Sequence, residues 1–189
     1  MGYFDDYVRS EAPGVRHEKL SAVHINIPAA SVVAPDTDGF LDGEALPAAA
    51  GLVGDILAQP PWAMTVTLVC SGTQTGKATV YGKDIAGNEI NEEVTLTSAT
   101  PVETTKAFAE VSKVKLPIKV GSETIDVGWG GKFGLPFKIA TAGLVLVKLF
   151  NGATDTGTVT ANATDLAKNL YDPNGTPDGL KAIDLYVLV

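Results

Sequence analysis

Residues 62–70 read WAMTVTLVC, and their character alternates: Trp62, Met64, Val66, Leu68 and Cys70 fall on one face of an extended chain, Ala63, Thr65 and Thr67 on the other. A period of two belongs to a half-buried strand, because successive Cβ atoms point to opposite sides of the pleat. The stretch KATVYGKDIAGNEINEEVTL, Lys77 to Leu96, continues the pattern on both sides of a turn. Val80, Ile90, Val94 and Leu96 are apolar, Thr79, Asn91, Glu93 and Thr95 are polar, and DIAGN supplies turn-forming residues between the two runs. Further short strands are predicted at VSKVKLPI, ETIDVGW, LVLVKLF, TGTVTA and the terminal AIDLYVLV, separated by Gly, Asn, Asp and Pro. With almost no helical pattern between them, the fold class expected is all-β, an antiparallel β-sandwich or barrel of jelly-roll-like form.

Upstream the pattern weakens. In LPAAAGLVGDILA, Leu46, Ala50, Val53 and Ile56 or Leu57 have helical spacing, but Gly51 and Gly54 each cost about 1 kcal/mol relative to Ala, so a short helix and a packed loop are equal readings. Residues 1–45 mix polar residues with Pro13, Pro28, Pro35 and Gly39. Only KLSAVHINI alternates there, with Leu20, Ala22, His24 and Asn26 opposite Val23, Ile25 and Ile27. The same segment holds eight carboxylates against three bases. The expected organisation is an extended N-terminal arm over residues 1–45, lying across a neighbouring subunit by adding its SAVHINI strand to an exposed edge or by packing along a groove, and a β-sandwich domain over residues 46–189.

A chain of 189 residues buries about 70% of its unfolded surface, enough for a normal core. The net charge of −8, with lysines and arginines scattered, argues against a nucleic-acid partner. No apolar run approaches the roughly 18 residues of a membrane helix, and MGYFDDYVRS lacks the basic and apolar regions of a signal peptide, so a protein folded in a cytoplasm and without a membrane partner is expected.

The residues that carry chemistry are few. Cys70 has no disulfide partner and lies on the apolar face of its strand, which predicts a buried, unreactive thiol. His17 and His24 both fall in the arm with no cysteine to complete a zinc site and no spacing that suggests a triad, so both read as packing or incidental residues. GTQTGKAT has three residues between Gly72 and Gly76, and Ala78 after Lys77, where a phosphate-binding loop needs four and a hydroxyl; it reads as a turn. Asp36, Asp38, Asp42 and Glu44 offer oxygens of the kind calcium takes, but not at EF-hand positions, and an acidic turn and a calcium site both remain open to them. In DVGWGGKFGLPFKI, Gly128, Gly130, Gly131 and Gly134 surround Trp129 and Phe133, which predicts a tight loop or bulge held by the two rings. No catalytic residue, metal site or cofactor is predicted. The interaction residues predicted are Val23, His24, Ile25, Asn26 and Ile27 in the arm, with Trp129 and Phe133.

Three segments in order, VYGKDIAGNEINEEVTLTS, TTKAFAEVSKV and DVGWGGKFGLP, resemble a pattern in virion structural proteins of tailed bacteriophages: a strand, a D-x-x-G turn, an acidic strand, a T-T-K-A-F segment and a G-x-x-x-G-L-P loop. The likeness spans residues 78–137. It implies a β-rich, non-enzymatic part of a phage particle, most like a capsid decoration (cement) protein on the capsid exterior. The partners so implied are the major capsid protein and further copies of the chain, as a homotrimer over local threefold positions. A tail-tube or head–tail joining subunit is the alternative within the virion. A carbohydrate-binding module of a host-recognition appendage, with Trp129 in a stacking platform, is the alternative outside it.

Overall fold

The computed structural model describes residues 21–189. Its strands are β1 (Ala22–Ile27), β2 (Asp36–Ala45), β3 (Gly51–Val53), β4 (Met64–Cys70) and β5 (Lys77–Lys83). They continue as β6 (Glu89–Thr95), β7 (Val102–Phe108), β8 (Glu110–Leu116), β9 (Thr124–Gly134) and β10 (Val145–Phe150). Last come β11 (Ala153–Thr154), β12 (Thr158–Thr160), β13 (Leu170–Asp172) and β14 (Ile183–Leu188). All pairings are antiparallel. The all-β sandwich/barrel expectation holds, with the strands divided among three sheets: a terminal one ordered β1-β14-β10-β11, a central one ordered β12-β13-β9-β4-β7 with β2 beside β9, and a third ordered β3-β8-β5-β6.

The alternation of β4 sets the packing. Met64, before the register shift, is buried in the protein's second core, and Val66, Leu68 and Cys70 are buried on the strand's inward side. The third sheet curls over this side, and Phe40, Leu41, Val80, Phe108, Val114, Leu116, Ile125 and Val127 close one core. Two links seal that half-barrel. Glu92 on β6 accepts the N–H groups of Thr105 and Lys106 on β7, and the Leu57 N–H donates to the Phe40 carbonyl at 3.0 Å. A second core lies under the terminal sheet, where Ile25, Ile27, Ile183, Leu185 and Val187 meet Met64, Phe133, Leu135 and Tyr171. Each fully buried side chain of this size contributes roughly 1.5–3 kcal/mol. Trp129, midway along β9, packs against both cores.

The hairpin of β5 and β6 is regular from Lys77↔Thr95 to Lys83↔Glu89. Its turn is organised by Asp84, whose carboxylate accepts from the N–H groups of Ala86 and Asn88, both at 2.9 Å, and Gly87 takes φ +83°. A second hairpin joins β10 to β11 through Asn151 and Gly152, both at positive φ, as a two-residue primed turn requires.

One expectation is corrected and two open alternatives are decided. First, residues 21–45 are not an arm: β1 is paired with β14 along its whole length and β2 with β9, and Ile25, Ile27, Phe40 and Leu41 are core. Alternation isolated in sequence between Pro13 and Pro28 is completed by the far end of the chain. A domain boundary at residue 45 therefore cuts through both cores, while residues 1–20, with His17, lie outside the described residues. Second, of the short helix and the packed loop open to residues 46–58, the structure has the loop, within which Gly51–Val53 pair with Leu116, Lys115 and Val114 of β8; a helix here would carry the backbone-entropy cost of two glycines. Third, of the tight loop and the bulge open to the glycine-rich segment, the structure has the bulge and not the loop. The segment is the second half of β9, with a register shift against β4 between Met64 and Val66, opposite Phe133 and Trp129. None of its glycines has positive φ; they are there for close approach. A Cβ on Gly128 would strike the Asp36 carbonyl, one on Gly130 the Glu103 carboxylate, and one on Gly134 would lie 2.7 Å from the Ala107 Cβ.

Candidate interaction surface

The outer face of the terminal sheet follows from its register. Ala22, His24 and Asn26 of β1 stand opposite Leu188, Tyr186 and Asp184 of β14, and Val147 and Leu149 of β10 stand opposite Tyr186 and Asp184 in turn. Residues directly opposite share a face, so these eight side chains form the solvent side while Ile25, Ile27, Ile183, Leu185 and Val187 face the core. A bulge between Val145 and Val147 turns Leu146 outward as well. Leu146 is 61% exposed, Tyr186 44% and Val147 40%.

A preorganised polar group sits beside this apolar strip. His24 stacks on Tyr186 with ring centroids 4.6 Å apart and planes 13° from parallel, and its Nε2–H donates to Asp184 Oδ1 at 2.8 Å. The Asn26 amide donates to the same oxygen at 2.8 Å. Four residues from two strands are thus held in one arrangement before any partner arrives, which lowers the entropy lost on binding.

The residues predicted for interaction divide. His24 and Asn26 are exposed on this face; Val23 is half-buried; Ile25, Ile27 and Phe133 are buried and belong to the second core. Trp129 meets Phe40 edge-on, its indole N–H donates to the Ala34 carbonyl at 3.1 Å, and Gly39 makes room for its ring. A ring so engaged on several sides is a poor sugar platform. Tyr186, Asp184, Val147 and Leu146 were missed as surface residues. The signal for Asp184 and Tyr186 is the polar phase of AIDLYVLV, where they alternate with Ile183, Leu185 and Val187; Leu146 and Val147, in the continuous apolar run LVLVKLF, carry no such signal.

Elsewhere the polar groups are used internally. Cys70 is buried as expected, and burial, then Glu123 and Asp126, push its thiol pKa up, away from reactivity. Tyr171 donates to the carboxylate of Asp155, and Lys132 pairs with Glu103, which also accepts from Thr65. Asn169, fully buried, accepts from the N–H groups of Ile139 and Asn162 and donates to three carbonyls. Asp36, Asp38, Asp42 and Glu44 lie along β2, where the bond from Asp38 to Asp36 and their mutual repulsion raise the Asp38 pKa. Among the described residues, no three acidic, His or Cys side chains are grouped to hold a metal ion, and no helix is long and apolar enough to cross a membrane. No family model, curated protein or solved structure matches the chain.

Proposed function

We propose that this protein is a structural virion component of a tailed bacteriophage that decorates the capsid and stabilises it by binding the lattice of the major capsid protein. The reading rests on the ordered resemblance over residues 78–137. The observation that carries its mechanism is the outer face of the terminal sheet, where exposed Leu146, Val147 and Tyr186 adjoin the fixed His24–Asp184–Asn26 group. A rigid face with an apolar strip and a satisfied polar rim has the composition of a protein-binding patch.

A cement protein binds the assembled shell and not its separated subunits, so each bound copy shifts the disassembly equilibrium. Small gains per copy add up over many copies. The net charge of −8 calls for a basic complementary surface and for association that is faster at low salt.

The test is to add purified protein to capsids lacking it, follow co-sedimentation, and then heat decorated and bare particles side by side. Decorated particles should release their contents at the higher temperature, and Val147→Asp with Tyr186→Ala should weaken binding at least tenfold. Equal release temperatures at full occupancy would refute the cement role. Rings or tubes formed by the protein alone would favour the tail or joining reading.

A further inference from the structure

We propose that the edge of β1 facing away from β14 pairs with the same edge of a second copy, joining two terminal sheets into one continuous antiparallel sheet about a twofold axis at His24. The argument begins with hydrogen-bond phase. The Ser21 N–H donates to the Val189 carbonyl at 2.8 Å and the Val189 N–H returns to Ser21 at 3.0 Å, which makes 21 and 189 a hydrogen-bonded pair. In an antiparallel ladder such pairs alternate with non-bonded ones. With the register unbroken, Val23, Ile25 and Ile27 spend their backbone groups on β14, and Ala22, His24 and Asn26 direct theirs away from it. Among the described residues no strand lies on that side of β1.

Exposed edges are usually blunted by shortness, charge, bulges or cover, and the other edges of this protein are. β3, β11 and β12 have three, two and three residues. β2 carries Asp36, Asp38, Asp42 and Glu44 and two register shifts. β6 carries Glu89, Glu92 and Glu93, and Glu92 caps the N–H groups of Thr105 and Lys106 on the edge of β7. β10 is bulged and holds Lys148. β1 alone, AVHINI, runs for six residues without charge, proline or bulge.

A second copy fits this edge by its symmetry and its charge. Antiparallel pairing centred on His24 sets Ala22 opposite Asn26 of the other copy at both ends, and each facing pair exchanges two backbone hydrogen bonds. No carboxylate stands on β1, so two chains of net charge −8 meet along an uncharged line. Asp184, one strand inward, already accepts from His24 and Asn26. One isologous seam satisfies both edges at once and closes the assembly. It makes the twofold dimer the solution species, in place of the threefold arrangement implied by the resemblance.

The proposal concerns the free protein and is tested without particles. Sedimentation equilibrium of the full chain should find a monomer–dimer equilibrium. Ala22→Lys with Asn26→Lys sets lysine against lysine at both ends of the seam and should weaken the dimer about tenfold. Ala22→Glu with Asn26→Lys sets glutamate against lysine across the same seam and should restore it. In hydrogen exchange the amides of 22, 24 and 26 should be protected only at concentrations where dimer forms, and those of 23, 25 and 27 at all concentrations. A monomer at every concentration, a dimer indifferent to both double variants, or protection of 22, 24 and 26 that appears only on capsids would overturn the pairing; the last would assign the edge to a strand of the capsid protein.

Discussion

Gly128 and Gly130 lie two positions apart on β9 and face different obstacles. A methyl at 128 meets the backbone of β2, at the Asp36 carbonyl; a methyl at 130 meets the carboxylate of Glu103 and, at 2.6 Å, the Thr65 hydroxyl. Backbone in a sheet yields less than a side chain, so Gly128→Ala should cost about 3 kcal/mol and Gly130→Ala about 1–2 kcal/mol by overpacking, read from urea unfolding midpoints. Tyr171 gives a second residue-scale test. Burial first, and then its bond to Asp155, push its pKa well above the ordinary 10.0. The folded state therefore holds this proton more tightly than the unfolded state, and the stability linked to it is full below pH 10 and falls as pH rises beyond. Absorbance titration of the folded protein should show Tyr171 still un-ionised above pH 10. Tyr171→Phe, which leaves the buried Asp155 carboxylate short of a donor, should cost about 1–3 kcal/mol at neutral pH.

At the scale of elements, the two hairpins rest on different devices. Asp84 takes the orphan N–H groups of its turn, and Asp84→Ala should lose about 1–2 kcal/mol with the β5/β6 amides exchanging faster. The β10/β11 turn depends on Gly152 at φ +75°. Gly152→Val, with a branched Cβ in the left-handed region, should destabilise the protein by about 1–2 kcal/mol, measured by thermal unfolding. The turn at Asp84 was legible from DIAGN. The Asn151–Gly152 turn carries an equally strong signal, but the residues after it, ATDTGTVT, alternate too weakly to announce the two-residue strand that pairs back.

For the whole molecule, the chain ends are the decisive feature. β1 and β14 meet although about 160 residues separate them, and the second core does not exist without both. Deleting residues 1–45 removes Ile25, Ile27, Val32, Phe40 and Leu41 from two cores. At roughly 1.5–3 kcal/mol each, that loss matches the entire stability of an ordinary domain. The truncated protein should be unfolded or aggregated by circular dichroism, whereas a detachable arm would leave a cooperative melt.

Alternation at 62–70, 77–96 and 183–188 was enough to determine an all-β, antiparallel protein and the buried state of Cys70, because which side chains share a face is a local property of an extended backbone. Locality also set the limit. That AVHINI belongs to its own chain, that the glycines of β9 admit neighbouring backbone rather than a turn, and that His24 is fixed by Asp184 and Tyr186 were decided only in three dimensions. Each depends on what stands beside a strand, and a strand's pattern records the presence of a buried side but not the partner that buries it.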